Sequence, residues 1–324
     1  MIKPIHRFIA WKTRKAFGSG DKKRDADQTT PPDIIRFDNI VYGDDKKLKK
    51  WQLLDVYRPK NLDNENTSTS FNTNSANKAQ DLGKLPVIVS VHGGAWVYGD
   101  KDVYQFYCMR LAQRGFAVVN FSYRLAPEAL FPSSLEDTDK VFNWIEANAE
   151  KYGFDIDNVF AVGDSAGAHL LCLYASALSN ADYAKNYPFI NSKKLMLRGI
   201  ALNCGKYNMT PTAEDTSMVM LLEALLGQKI TDEKLNLINA SAHITKDFPP
   251  TFVMTCLGDF LYPQAEVINN SLETAGVKYE YHCYGTKEMP LWHVFHCDPH
   301  LPQAVECNDD ECAFFRSVGY NLKK

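Results

Sequence analysis

Apolar and polar residues alternate in two different patterns along this chain. From residue 86 onward, short and almost continuously apolar runs alternate with longer segments whose apolar residues recur about every three to four positions. Continuous apolar runs are typical of strands buried on both faces, so the pattern predicts an α/β fold with a mostly parallel central sheet and helices on both faces. The predicted strands are Pro86–His92, Ala117–Tyr123, Val159–Val162, Leu197–Asn203, Thr251–Leu257 and Lys278–Tyr284, and the predicted helices are Tyr104–Arg114, Leu135–Tyr152, Ala168–Leu178, Pro263–Ala275 and Pro302–Val318.

The segment before residue 86 has other patterns. Ile5–Phe17 has the pattern of a basic amphipathic helix that lies over the body of the protein, with a role at a membrane surface as the alternative. Gly18–Pro32 is polar and is predicted to be a loop. Phe37–Tyr42 and Trp51–Tyr57 predict an antiparallel hairpin at a sheet edge. Asn61–Lys84 is rich in Asn, Ser and Thr, which predicts a flexible surface loop and not a domain boundary.

The alternation of strands and helices is interrupted at Gly205–Ala242. This segment contains the helical pattern Met218–Leu226 and lies between two predicted strands, where an active-site lid can be inserted. A plain connection is the alternative, but the adaptability of methionine to varied ligands favours a lid. We therefore predict a single domain, 1–324, with cap elements from 1–36 and about 205–242.

The most informative short motif is Gly163-Asp164-Ser165-Ala166-Gly167. It fits the G-x-S-x-G nucleophile elbow and stands between a predicted strand and a predicted helix, as such an elbow must. The sharp turn projects the serine hydroxyl from the end of the sheet, and the glycines leave room for the turn. The motif therefore predicts that Ser165 is the nucleophile of a serine hydrolase.

Serine is a poor nucleophile until a base takes its proton and a third group orients that base. In an α/β sheet with such an elbow, the acid and then the base follow the serine along the chain. Asp259 and His293 each follow a predicted strand in this order, which makes them the candidate acid and base. His296 is the alternative base, and Asp298 and Glu288 are weaker alternatives for the acid.

The segment His92-Gly93-Gly94-Ala95-Trp96 follows a predicted strand upstream of the elbow. Two glycines allow the backbone to turn its amides toward a bound carbonyl without steric cost. The amides of Gly93, Gly94 and Ala166 are therefore predicted to form an oxyanion hole. His92 is predicted to be structural, binding the loop backbone and not serving as a second base.

In combination, these motifs resemble the hormone-sensitive-lipase-like branch of the α/β-hydrolases, which includes bacterial acetyl esterases and carboxylesterases. The resemblance covers roughly residue 37 to the C-terminus. It implies the α/β-hydrolase fold with a helical cap, the triad Ser165, Asp259 and His293, and a structural role for Glu128 near the site. It rests on four segments, which are His92-Gly93-Gly94-Ala95-Trp96, Tyr123-Arg124-Leu125-Ala126-Pro127-Glu128 with Phe131-Pro132, the elbow, and Asp259 with His293-Val294-Phe295.

Two positions depart from the family pattern. Ala95-Trp96 stands where many members have a third glycine, which makes the loop more similar to feruloyl-esterase-like and formamidase-like relatives. Phe260 directly follows the candidate acid, where the family commonly has proline.

The expected function is hydrolysis of short-chain, acetyl-type carboxylic esters through an acyl-enzyme intermediate. Trp96, Tyr98, Met209 and Met218 are the candidate walls of a small substrate pocket. An arylformamidase-like or amidase-like hydrolase is the alternative, because the same triad serves amide chemistry. A non-catalytic ligand receptor of the same fold is less favoured, because receptors of this family lack the base and this chain has His293.

Composition narrows the set of partners. The net charge of −3 over 324 residues gives no reason to expect nucleic acid or an anionic membrane as the main partner. We find no apolar run long enough to span a bilayer. The eight cysteines fall partly within apolar runs and the N-terminus lacks the apolar core of a secretory signal, which predicts free thiols and a cytoplasmic protein. The sequence is compatible with a homodimer and does not determine the oligomeric state.

One group of potential metal ligands lies near the C-terminus. It lacks a CxxC pair or another tight ligand spacing, so no metal site is expected. The expected ligand is a small-molecule ester, without metal or cofactor. The residues in this group are His293, His296, Cys297, His300, Cys307 and Cys312.

Overall fold

The computed structural model describes residues 3–60, 83–190, 195–212 and 214–322. The predicted loop Asn61–Lys84 lies outside the described residues except for its last two positions. Among the described helices, none combines the length and the apolar character needed to cross a bilayer.

An eight-stranded sheet forms the centre of the described structure. Its strands are β1 Ile34–Val41, β2 Leu53–Pro59, β3 Leu85–Val91, β4 Ala117–Phe121, β5 Phe154–Asp164, β6 Leu197–Asn203, β7 Thr251–Cys256 and β8 Tyr279–Tyr284. They lie in the order β1-β2-β4-β3-β5-β6-β7-β8. Strand β2 pairs antiparallel with β1 and with β4, whereas the other neighbouring strands are parallel. The predicted mostly parallel sheet and its edge hairpin are confirmed.

Helices cover both faces of this sheet. They are α1 Pro4–Arg24, α2 Lys101–Gln113, α3 Ser133–Ala147, α4 Ala149–Tyr152, α5 Ala166–Ser179, α6 Ala181–Ala184, α7 Thr216–Leu226, α8 Asp232–Ile238, α9 Pro263–Ala275 and α10 Pro302–Val318. Successive side chains of a strand point to opposite faces, and β3 therefore contributes to two cores. Val87 and Val89 pack in a core with α3, α5 and α9, whereas Ile88 packs in a core with α2 and α10.

Several predicted boundaries differ from the structure, and two of them concern helices. Helix α1 continues into the predicted loop Gly18–Pro32 and ends at Arg24, whose guanidinium binds the Val103 carbonyl oxygen at 2.7 Å and the carboxylate of Asp25 at 2.7 Å. These contacts fix the end of the helix on the body of the protein. The predicted helix Leu135–Tyr152 is divided at Asn148, where the backbone leaves the helical region.

Helix α1 is anchored to the loop that follows β3. Arg14 donates to the Val97 carbonyl oxygen at 2.7 Å and binds both carboxylate oxygens of Glu128, at 2.8 and 2.9 Å. The hydroxyl of Tyr98 donates to Asp21 at 2.7 Å. Glu128 therefore has the structural role that the resemblance implies.

Helix α1 also packs against α7, in the segment that interrupts the alternation. His6 and Glu223 approach each other to 3.6 Å between these helices. The described part of 205–242 contains α7 and α8. That 1–36 and 205–242 act together as a cap stays a prediction.

Candidate active site

Ser165 stands at the sharp turn between β5 and α5. Its φ of 52° and ψ of −116° are strained for a residue with a side chain, as a nucleophile elbow requires. Its amide donates to the Asn203 carbonyl oxygen at 2.9 Å. A Cβ at Gly163 would lie 2.7 Å from the Gly167 backbone, and one at Gly167 would lie 2.0 Å from the carbonyl oxygen of Val91. Both glycines are therefore required by the packing of the turn.

Asp259 and His293 form a close pair in the loops after β7 and β8. The distance between Asp259 Oδ1 and His293 Nδ1 is 2.7 Å, and the amide of Leu261 donates to the same oxygen at 2.8 Å. Burial raises the pKa of Asp259, but the hydrogen bond and the charge of His293 oppose this effect, and the net pKa lies below the ordinary value. The pair has the geometry in which a carboxylate orients an imidazole.

The alternative base and acids lie in surroundings that differ from those of His293 and Asp259. His296 is buried against the ring of Tyr107, and burial first, then the charge of His293, lowers its pKa to about 3. It therefore stays neutral at physiological pH and faces the core. Asp298 accepts from His300 at 2.8 Å, and Glu288 is exposed. Neither carboxylate pairs with His293 in the structure.

The loop after β3 corrects part of the predicted oxyanion hole. The amide of Gly93 donates to the Tyr104 hydroxyl at 2.9 Å, so it already has an acceptor. Gly94 has φ +116°, and a Cβ there would lie 2.2 Å from the Tyr98 carbonyl oxygen, which leaves room for glycine alone. The amides of Gly94 and Ala95 have no acceptor within the described residues.

Tyr104 joins the loop after β3 to the elbow. This connection is not among the contacts predicted from the sequence. Its hydroxyl donates to Asp164 Oδ2 at 2.7 Å while it accepts from Gly93. Burial raises the pKa of Asp164 to about 6, although the hydrogen bond from Tyr104 opposes this shift. The Asp inside the Gly-Asp-Ser motif is the one sequence signal for this network. Its partner Tyr104 comes from α2 and carries no local motif.

His92 holds the same loop from the other side. Its ring stacks on Tyr123 with 4.0 Å between the ring centres, and Nδ1 lies 2.7 Å from the Gly93 carbonyl oxygen. Burial lowers the pKa of His92 to about 4. His92 is therefore a neutral, structural residue at physiological pH.

The predicted pocket walls are only partly exposed. Trp96 is 3% exposed and donates through Nε1 to His169 Nδ1 at 3.0 Å, and Met209 is fully buried. Both pack the core and offer no surface to a substrate, so this part of the expectation is wrong. Tyr98 and Met218 are partly exposed, beside α1 and in α7 respectively.

Exposed aromatic residues lie next to the candidate base, His293, instead. Phe260 is 71% exposed and lies 4.4 Å from the His293 ring, and Trp292 is 52% exposed. Phe260 directly follows Asp259 in sequence and Trp292 directly precedes His293, and this is the signal that could have identified these rings.

The C-terminal His and Cys residues are dispersed in the structure. Cys307 and Cys312 are buried in the core, and His300 pairs with Asp27 and Asp298 on the surface. Within the described residues, the side chains close enough to share a metal ion are Cys204, Asp259 and His293, whose ligand atoms lie within 4.8 Å of one another.

A buried acid supports the elbow from α10. Glu311 accepts from the Tyr107 hydroxyl at 3.1 Å and from Asn203 Nδ2 at 2.7 Å. Asn203 in turn accepts the amide hydrogen of Ser165. Burial raises the pKa of Glu311 from its ordinary value of 4.5 to about 7.

We expect Glu311→Gln to change how stability depends on pH. Between about pH 4.5 and pH 7 the folded state binds a proton at Glu311 that the unfolded state releases, so the free energy of unfolding falls as the pH rises through this window. Glutamine does not titrate, so the free energy of unfolding of the variant should not show this decrease, which is on the order of 3 kcal/mol. Urea denaturation at pH 4.5, 6 and 8 measures it. Exposed Glu306→Gln is the matched control, and parallel pH curves for wild type and Glu311→Gln would contradict the burial argument.

Known proteins resemble the chain in sequence. Residues 73–271 match the BD-FAE family model. Versiconal hemiacetal acetate esterase of Dothistroma septosporum is 29% identical over 238 residues, which covers 69% of this chain and 70% of that protein. Esterase LipC of Mycobacterium tuberculosis is 26% identical over 230 residues, covering 69% of this chain and 51% of that protein.

Solved structures share the fold at lower identity. Esterase B from Lactobacillus rhamnosis superposes with a TM-score of 0.81 at 24% identity, covering 97% of this chain and 96% of that one. The esterase from Pyrobaculum calidifontis gives a TM-score of 0.70 at 21% identity, covering 98% and 99%. These likenesses confirm the predicted α/β-hydrolase fold.

The family match includes Ser165 and Asp259 and ends before His293. It spans more than half of the 324 residues. The chain therefore belongs to the BD-FAE family, in the esterase branch of the α/β-hydrolases.

Proposed function

We propose that this protein is a serine esterase that hydrolyses short-chain, acetyl-type carboxylic esters through an acyl-enzyme. The observation that carries the proposal is the 2.7 Å contact between His293 and Asp259, in a chain whose elbow holds Ser165 in a strained backbone conformation. A carboxylate that orients an imidazole in this way is the means by which serine is activated in hydrolases of unrelated sequence.

In the proposed mechanism, His293 removes the proton of Ser165 as its Oγ attacks the ester carbonyl. The negative oxygen that develops is held by the amides of Gly94 and Ala95 and by the amide of Ala166, the first residue of α5. Ala95 replaces Gly93 in this set, because the Gly93 amide is taken by Tyr104. The alcohol leaves with the proton from the imidazole, and water hydrolyses the acyl group by the same route.

The relatives support an ester substrate with a small acyl group. The Dothistroma protein is named as an acetate esterase. A protein named ethyl acetate hydrolase from Pseudomonas putida is 36% identical over 93 residues, which is 28% of this chain and 29% of that protein. The cytoplasmic location and the homodimer stay predictions from the sequence.

Reaction with a fluorophosphonate tests whether Ser165 is activated. We expect one adduct per chain, on the tryptic peptide that contains Ser165, because an ordinary serine hydroxyl does not react with this reagent. Mass spectrometry of the intact and digested protein measures the adduct. Asp259→Asn should react much more slowly. An unlabelled Ser165 in folded protein would contradict the proposed function and favour a ligand receptor.

A further inference from the structure

The outer side of helix α1 carries exposed aromatic rings. The inner side lies on the body of the protein, and its buried residues are His6, Ile9, Ala10 and Thr13. On the outer side, Phe8 is 54% exposed and Trp11 is 57% exposed, and their ring centres lie 6.1 Å apart. Ile5, which precedes Phe8 by three residues, is 45% exposed. Residues three apart are neighbours on a helix surface, so these side chains form one apolar stripe that is open to solvent.

Basic residues accompany this stripe. From Lys3 to Arg24 there are eight basic residues and one acidic residue, in a chain whose net charge is −3. Positive charge is therefore concentrated in α1, which the net charge of the whole chain did not indicate. Lys15 lies one helical turn from Trp11, and its ammonium group is 5.5 Å from the centre of the Trp11 ring.

Most of these cations have no carboxylate partner. Arg14 is paired with Glu128, and Arg24 is paired with Asp21 and Asp25. The other six are exposed, and none of them forms an ion pair with a residue in the described part of the chain. These six unpaired cations are Lys3, Arg7, Lys12, Lys15, Lys22 and Lys23.

A bilayer with anionic headgroups complements both features of this helix. An amphipathic helix lies in the plane of a membrane interface when its aromatic side chains reach the acyl boundary and its Lys and Arg side chains contact anionic headgroups. Each cation close to such a surface contributes about fivefold to the affinity. A second copy of the chain fits this face less well, because a symmetric contact through it would bring the same cations together.

We propose that α1 binds the surface of a membrane that contains anionic lipids, with Phe8 and Trp11 inserted at the interface and the six unpaired cations near the headgroups. The proposal is independent of the proposed function, because it assigns no step of the reaction to these residues. Binding leaves the contacts of Arg14 and Asp21 with the loop after β3 in place, since it uses other residues of the helix.

Co-sedimentation of the full chain with large unilamellar vesicles tests this proposal. The vesicles contain either phosphatidylcholine alone or phosphatidylcholine with about 30% phosphatidylglycerol, and the bound fraction is measured against lipid concentration. We expect binding only to the anionic vesicles. The affinity should fall at least tenfold between about 0.1 M and about 0.5 M NaCl, because salt screens exposed charges.

Two variants separate the contribution of charge from that of the aromatic rings. The charge variant, Arg7→Gln/Lys12→Gln/Lys15→Gln, should lower the affinity for anionic vesicles about 100-fold, because it loses three cations. The ring variant, Phe8→Ala/Trp11→Ala, should lower it at least tenfold, because it loses the apolar area that the interface would bury. All five side chains are exposed or partly exposed, so both variants should melt close to the wild type in circular dichroism.

The matched control is Lys151→Gln/Lys278→Gln/Lys287→Gln. It removes three exposed lysines that lie outside α1 and form no ion pair with the described residues. It changes the net charge by the same amount as the charge variant does. It should bind anionic vesicles as the wild type does.

Three results would overturn the proposal. The first is that wild-type protein does not bind anionic vesicles, or that the charge variant and the control lose affinity equally. The second is loss of binding in the charge variant but not in the ring variant, which would indicate attraction to polyanions without insertion at a bilayer. The third is a dimer in sedimentation velocity that the ring variant dissociates, which would assign this face to a second copy of the chain.

Discussion

Replacing Ser165 by alanine is expected to lower kcat/KM for p-nitrophenyl acetate by about 10⁴-fold or more. The variant loses the only group that the proposed mechanism uses to form the acyl-enzyme, while the amides that hold the oxyanion remain. Because the strained φ of 52° is imposed by the packing of Gly163 and Gly167, alanine should adopt the same backbone. Stopped assays with purified protein, corrected for folded fraction by circular dichroism, measure the loss.

Ser176→Ala is the matched control for this variant. Ser176 lies in the same helix as the elbow, is fully buried, and makes no side-chain hydrogen bond with the described residues. It should therefore keep wild-type turnover. Activity in Ser165→Ala within tenfold of the wild type would show that another residue is the nucleophile.

His293→Ala should cause a loss of similar size, about 10⁴-fold in kcat/KM, whereas His296→Ala should keep the wild-type value per folded molecule. The reason is the different burial of two histidines that lie three residues apart. His293 is partly exposed and bound to Asp259, whereas His296 is enclosed against Tyr107 and its pKa is lowered to about 3. A buried imidazole with that pKa does not relay a proton near neutral pH.

Thermal melts of both histidine variants separate catalysis from folding. His296→Ala should melt at a lower temperature, because it leaves a cavity beside Tyr107 and Phe295. His293→Ala should melt close to the wild type. The reverse pattern in activity, with loss confined to His296→Ala, would move the base to His296.

The positions of the strands along the chain and the elbow could be predicted from sequence because both depend on local patterns. Continuous apolar runs predict the strands, and the Gly-x-Ser-x-Gly spacing predicts the turn. The order of Asp259 and His293 after Ser165 follows from the topology of a parallel sheet, whose loops meet at one edge. The pairing of these two residues at 2.7 Å agrees with that expectation.

The parts that could not be predicted depend on contacts between distant segments. Tyr104, which lies in α2, accepts the hydrogen bond of the Gly93 amide, and no motif near Gly93 indicates this contact. Trp96 is predicted to be a wall of the substrate pocket, but its indole N–H turns inward to His169, far along the chain. Helix α1 likewise continues past its predicted end into the polar segment after Phe17, where Arg24 contacts the distant Val103.

The anchoring of α1 has a consequence for where the working enzyme begins. Arg14 binds Val97 and Tyr98 binds Asp21, so the loop that offers the proposed oxyanion amides is held by helix α1, which ends before residue 25. The segment that matches the family model, 73–271, contains neither this helix nor His293. A fragment cut to residues 73–271 would keep the elbow but lose both the proposed base, His293, and the contacts of α1 with the loop that offers the proposed oxyanion amides. The proposed catalytic unit is therefore larger than the segment that matches the family model.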